Sequence, residues 1–204
     1  HVRDCLITEN EAYGSGGGVF IAAYSLLMNC LITSNRALYT TSGGGGVHLY
    51  LNGLVSNCVL SANRAELGGG IYNRRRGECI GCALRGNEAL RGGGYYAPDG
   101  GTLCDSLIAN NRAMNGAGVY ADASSATIAL CRISANVATN NGGGVYCASG
   151  ASLFSCLIAR NEAGHVAGGL YLSGGTVCNC TISSNMAASG GGVFSRLKFE
   201  GGVH

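Results

Sequence analysis

An asparagine returns along this chain at near-constant intervals: Asn10, Asn35, Asn63, Asn87, Asn111, Asn136, Asn161 and Asn185, separated by 25, 28, 24, 24, 25, 25 and 24 residues. Two residues after each stands an alanine (Ala12, Ala37, Ala65, Ala89, Ala113, Ala138, Ala163, Ala187), and five residues before each a cysteine, replaced once by Ser106. A glycine cluster follows, usually GGG, then an apolar–aromatic pair such as VF, IY or VY. Eight units that agree at every Asn and Ala define a repeat architecture, in which each unit buries its apolar face against its neighbours.

The period selects among such architectures. Helix-pair repeats need about 30 residues or more and a 3.6-residue pattern, whereas these segments are short, β-branched and punctuated by glycine. The strand-plus-helix consensus of leucine-rich repeats is absent. A period of about 24 residues suits one coil of a parallel β-helix, three short strands joined by tight corners, with coils stacked about 4.8 Å apart.

With the cysteine position as origin, an apolar residue lies three before it (Val2, Leu27, Val55, Cys79, Leu103, Ile128, Leu153, Val177) and another two after it (Ile7, Ile32, Leu60, Leu84, Ile108, Ile133, Ile158, Ile182). Both sets are expected to point inward. A strand alternates its faces, so inward residues an odd number apart require a bend between them. Asp4, Asn29, Asn57, Asp105 and Asn179, directly before the cysteine position, are residue types that suit such a corner. The stack Cys5, Cys30, Cys58, Cys82, Cys131, Cys156 and Cys180 and the asparagine ladder are therefore the inner columns at two corners of every coil. The asparagines are expected to bond one another from coil to coil and to satisfy the turn backbone.

Composition narrows the function classes. Thirty-six glycines without a Gly-X-Y period exclude collagen, and 47% hydrophobic residues argue against a disordered linker. A formal charge of +2 offers no footprint for nucleic acid. The longest apolar stretch, residues 19–32, is broken by Tyr24, Ser25 and Asn29 and is too short for a transmembrane helix.

The eleven cysteines are expected to be mostly buried, reduced thiols. Cys79–Cys82 is a CxxC with neither a second CxxC nor a His pair to complete a zinc site, so no metal and no cofactor are expected. Cys79 and Cys147 fall at inward positions, and Ser106 splits the stack into four and three, leaving an odd thiol. The eleven acids are scattered, without the paired carboxylates of a glycosidase, and no enzyme is expected. The column after the asparagine (Glu11, Arg36, Arg64, Glu88, Arg112, Val137, Glu162, Met186) reads as an exposed charge ladder between coils. The run NRRRGE at 73–78, with Arg85 and Arg91, reads as a local basic patch. The outward column Thr8, Thr33, Ser61, Arg85, Ala109, Ser134, Ala159 and Ser183 is no Thr-x-Thr array, which argues against ice binding.

After the glycines and the inward Val/Ile comes an aromatic column: Phe20, His48, Tyr72, Tyr96, Tyr120, Tyr146, Tyr171 and Phe194. Alternation turns it outward, so an exposed strip of stacked rings beside glycine is expected, serving either lateral packing or ligand binding.

The unit CxIxxNxA…GGGV[YF] resembles the right-handed parallel β-helix repeats of the pectate-lyase-like superfamily. It is more closely similar to repeat-rich bacterial surface proteins, including the chlamydial polymorphic outer-membrane proteins with their GGA-I and FxxN repeats. The resemblance runs from about Val2 to Phe194, with GGG-V in place of GGA-I and Leu/Ile in place of Phe. It implies a secreted or surface-exposed protein, carbohydrate-active in some members and adhesive or structural in others.

The expectation is an all-β, right-handed parallel β-helix of about eight coils of 24–25 residues with three short strands each, one solenoid domain over residues 1–204. The chain enters on a strand and leaves on the phrase FEGGVH, which reads as the start of another coil, with no amphipathic capping helix. A segment of a longer solenoid, or a subunit that stacks into a filament, is therefore expected. The functional reading is an extracellular structural or adhesive rod, bacterial by resemblance. Its partners would be further copies of itself or surface glycans, with carbohydrate binding or processing as the alternative.

Overall fold

The structure, a computed structural model, describes residues 1–39 and 43–196; the FEGGVH phrase lies outside them. The described residues form short parallel strands and no helix. Coil five shows the plan: Gly101–Cys104, a corner at Asp105 and Ser106, Leu107–Ala109, a second corner, Arg112–Asn115, a glycine turn, and Val119–Ala121. The first, second and fourth of these segments each belong to an eight-stranded sheet that runs the length of the solenoid. The third belongs to a short three-stranded ladder, with a two-stranded counterpart in the first two coils. Three strands per coil is thus the rule, with a partial fourth side added.

Pairing in the three long sheets is in register, with Leu103 between Cys79 and Ile128 and Ile108 between Leu84 and Ile133; the short ladder alone shifts, between Ala113 and Asn115. Like positions therefore stack on like, which turns each repeated residue type into a column. The three-residue strands alternate faces, so Ile108 is buried while Leu107 points out.

Both expected corners turn on a single residue in the left-handed region. Asp4, Asn29, Asn57, Gly81, Asp105, Leu130, Ser155 and Asn179 form the first, with φ between 46° and 65°. Glu9, Ser34, Ala62, Gly86, Asn110, Ala135, Arg160 and Ser184 form the second, with φ between 53° and 61°. One left-handed residue reverses the alternation, which is how inward residues three apart face the same core.

The glycine turn closes each coil. Its first residue is left-handed, as at Gly116 (φ 59°), and Ala167 adopts φ 62° at the equivalent place. Its third residue meets the next coil: a Cβ on Gly94 would lie 2.7 Å from the Gly118 carbonyl oxygen and 3.0 Å from Asn111 Nδ2.

The core is a set of stacked aliphatic pillars. Leu27, Val55, Leu103, Ile128 and Leu153, together with Ile32, Leu60, Leu84, Ile108, Ile133 and Ile158, are buried. Each contributes roughly 1.5–3 kcal/mol by leaving water. Val2, Ile7, Val177 and Ile182, in the first and last described coils, are less covered, as solenoid ends require. Cys79 and Cys147 are fully buried, as expected.

The sequence gives little warning of one polar insertion into this core. Tyr95 takes the inward position that Ile71 and Val119 hold in the adjacent coils. Its hydroxyl oxygen accepts from Asn73 Nδ2 at 2.7 Å, and Asn73 also exchanges hydrogen bonds with the Gly77 backbone. Along the neighbouring inward column, Ile21 and Leu49 give way to Asn73, Ala97 and Ala121, small residues that leave room for the ring.

Candidate functional site

The aromatic column forms. Ring centroids lie 4.7 Å apart for Phe20–His48, 4.8 Å for His48–Tyr72, 5.4 Å for Tyr72–Tyr96 and 5.2 Å for Tyr96–Tyr120. They continue at 4.7 Å for Tyr120–Tyr146, 4.3 Å for Tyr146–Tyr171 and 5.4 Å for Tyr171–Phe194. Coil spacing imposes this: residues in register about 4.8 Å apart place successive rings at stacking distance.

The exposed strip expected there is corrected. His48, Tyr72, Tyr96, Tyr120 and Tyr171 are buried, and Phe20 in the first coil is 52% exposed. Between Phe20 and Phe194 every ring is flanked on both sides by its neighbours, edge to face at His48–Tyr72 and Tyr96–Tyr120, and Leu67 and Ala148 pack against the Tyr72–Tyr96–Tyr120 group. The Arg91 guanidinium lies 5.8 Å from the Tyr120 centroid. Burial is the main cause that raises the phenol pKa of Tyr72, Tyr96, Tyr120 and Tyr146. The column is an axial spine more than an open binding face.

His48 is its one anomaly. The ring is 3% exposed, and among the described residues neither nitrogen has a hydrogen-bond partner. Burial pushes its pKa down to about 4, against the opposing pull of the Gly43 backbone and with help from the Arg74 guanidinium. The column therefore carries a neutral imidazole at neutral pH.

The asparagine ladder is complete over the described coils. Asn111 Nδ2 donates to Asn136 Oδ1 at 2.9 Å and to the Leu84 carbonyl at 2.9 Å. Asn111 Oδ1 in turn accepts from Asn87 N at 2.9 Å and from Asn87 Nδ2 at 3.1 Å. The side-chain link repeats from Asn10 through Asn35, Asn63, Asn87, Asn111, Asn136 and Asn161 to Asn185.

The cysteine stack has the same plan with weaker bonds. Cys131 Sγ donates to the Ala129 carbonyl at 3.1 Å and approaches the Leu103 carbonyl at 3.6 Å. Ser106 reproduces this, donating to the Cys104 carbonyl at 2.7 Å and accepting from Cys82 N at 3.0 Å. All eleven cysteines are free; Cys30, Cys58, Cys82, Cys131 and Cys156 are buried, while Cys5 is exposed and Cys180 half-buried in the outer coils. Hydrogen bonding with Cys82 and then burial hold the Cys58 thiol above its usual range, and burial pushes Cys147 up to about 12. Among the described residues no group of His, Cys, Asp or Glu could hold a metal ion.

The charge ladder is in register, with Glu11 beside Arg36 and Arg64 beside Glu88. Arg64 and Glu88 form an exposed ion pair at 3.3 Å. The basic patch does not assemble as expected. Arg74 pairs with Asp99 at 3.5 Å, and Arg75 lies 5.3 Å from the Tyr50 centroid. Arg85 instead ends a strand of the second sheet, and Arg91 lies over Tyr120 beside the third.

Two surface features went unread in the sequence. The residue directly after the cysteine position points outward and forms an aliphatic column on the second sheet, with Leu6 64%, Leu31 42% and Val59 41% exposed. Reading the second face of the same strand would have found it. Tyr13 and Tyr39, both exposed, stand 5.9 Å apart, and Tyr39 borders a groove floored by Ala37 and Ala65 and walled by Arg36, Arg64, Glu66 and Leu90. The pair falls in only two coils, so repeat analysis passes over it.

Stacked in-register coils with three parallel sheets and inner polar ladders define a parallel β-solenoid. A family model described as "Right handed beta helix region" matches residues 1–155, and the chain belongs to that family. No curated protein and no solved structure matches the chain.

Proposed function

We propose that this chain is a non-catalytic segment of a rigid structural or adhesive rod, displayed outside the cell and, by its resemblance to repeat-rich surface proteins, bacterial. The observation that carries the reading is the aliphatic column Leu6–Leu31–Val59, a contiguous apolar stripe on a flat sheet face. Such stripes on soluble proteins mark contact surfaces. The aromatic column supports the same reading, since its rings add contacts between successive coils along the whole axis. Lateral contact would then use the second sheet, and the pairing that joins coil to coil would join copies end to end.

Electron microscopy of the purified chain tests this. Rods or fibres that associate side by side, and that disperse in Leu31→Lys and Val59→Lys variants, are expected. Monodisperse particles unchanged by either substitution would count against the lateral contact.

The Tyr13–Tyr39 pair beside its Arg-walled groove favours carbohydrate binding as a second reading. A glycan panel against the native chain and a Tyr13→Ala/Tyr39→Ala variant decides it: binding lost in the variant supports a glycan site, and no binding removes it.

A further inference from the structure

The second sheet carries a different surface over coils six to eight, and we propose that it binds an oxyanion group, a sulfate or phosphate ester. The site consists of Arg132, Ser134, Arg160, Ser183 and Ser184 around a depression of about 270 Å³. Ala135, Ala159 and Leu157 complete the lining.

The placement follows from register. Arg132 and Ser134 flank the buried Ile133, so both point outward from one strand. Ser134 pairs with Ala159, and Ala159 with Ser183, so the depression spans three adjacent strands. Ala159 forms its low floor because a methyl group stands between two serines. Arg160 and Ser184 are second-corner residues, with φ 58° and 55°, and stand at the edge of this floor.

Every side-chain donor around the depression is unengaged. The ion pairs among the described residues are Arg64–Glu88 and Arg74–Asp99, so neither Arg132 nor Arg160 is neutralised. No carboxylate lines the site. The three serine hydroxyls have no hydrogen-bond partner among the described residues. In the same outward column Ser61 and Thr33 are direct neighbours and bond each other at 3.0 Å, whereas Ala159 separates Ser134 from Ser183 and leaves both hydroxyls open. The backbone is already committed: Ala135 N donates to the Ala159 carbonyl at 3.3 Å and Arg160 N to the Ser183 carbonyl at 3.2 Å.

Two guanidinium forks and three hydroxyls, all donors, match the several acceptor oxygens of a tetrahedral ester. The exposed Leu157 side chain offers an apolar wall for the organic part, which favours an ester over the free ion.

The test is a nitrogen-15 NMR titration of the whole chain at low ionic strength with inorganic sulfate, inorganic phosphate, a monosaccharide sulfate and a monosaccharide phosphate. Saturable shifts at the amides of residues 132–135, 157–160 and 181–184 are expected with at least one ester. Affinity should fall at least tenfold in Arg132→Gln/Arg160→Gln and stay unchanged in Arg112→Gln, an exposed arginine on another side. Tighter binding of one ester names sulfate or phosphate as the source. No saturable shift with either ester overturns the proposal, as does an equal loss in Arg112→Gln, which would mean bulk charge alone.

Discussion

The two corners of each coil solve one problem with opposite balances of local and long-range help. Both use a single left-handed residue followed by an inward polar side chain. At the first corner the left-handed residue is Asp, Asn or Gly in six of eight coils, types that tolerate this conformation, and the inward residue is Cys or Ser. At the second it is Asn or Gly in only two of eight, with Glu9, Ala62, Ala135 and Arg160 among the rest. Such residues cost roughly 1–2 kcal/mol each in the left-handed region. The inward residue there is always asparagine, held by strong amide hydrogen bonds. In most coils a thiol follows a locally content backbone, Leu130 and Ser155 excepted, and the asparagine ladder follows a strained one.

The most severe break in this comparison is Asn111→Ala. It strips the acceptor from Asn87 N and Asn87 Nδ2 and the donor from the Leu84 carbonyl, all buried. At about 1–3 kcal/mol for each orphaned group, a loss of roughly 3–6 kcal/mol is expected in urea unfolding.

Next comes the aromatic column, where His48 plays the strained part. Its folded pKa near 4 lies below the ordinary histidine value of about 6.5. The unfolded chain therefore binds the extra proton first. Its contribution to stability is whole above pH 6.5 and is lost as pH falls toward 4. A loss of roughly 2 kcal/mol between pH 7 and pH 4 is expected in excess of that shown by His48→Tyr, read from denaturation curves of both proteins. Parallel pH profiles would remove the imidazole as the cause.

Smaller effects separate the corners further. Cys131→Ala should cost about 1–2 kcal/mol through a small cavity and lost thiol bonds, and Cys131→Ser less than about 1 kcal/mol, because Ser106 already fits that position. Thermal unfolding resolves both. The smallest change is a gain: Ala62→Gly should stabilise by about 1 kcal/mol, while Asn57→Gly at the first corner should change little. Equal responses at the two sites would end the contrast.

Much of this was legible in the sequence. The asparagine, cysteine and aliphatic columns occupy the places their periodicity indicated, since in-register stacking converts a repeated letter into a spatial column. The first corner could be read from its Asp and Asn residues. The second was placed only by the asparagine that follows it, because Ala62, Ala135 and Arg160 have no preference for the conformation they adopt. Tyr95 and Asn73 were hidden for a related reason: each departs from its column, and they make sense only as a pair.

The chain's repeat by itself determined the coil, its eight-fold stacking and the columns that line the core, Tyr95 and Asn73 excepted, because strand alternation and a fixed period leave no other consistent pattern. Only the tertiary structure decided which outward residues reach water. Alternation sends the tyrosines out of the coil, yet stacking at coil spacing covers them, while Leu31, Val59, Arg132 and Arg160 remain open. Exposure belongs to neighbours from other coils, and no single strand's sequence specifies those.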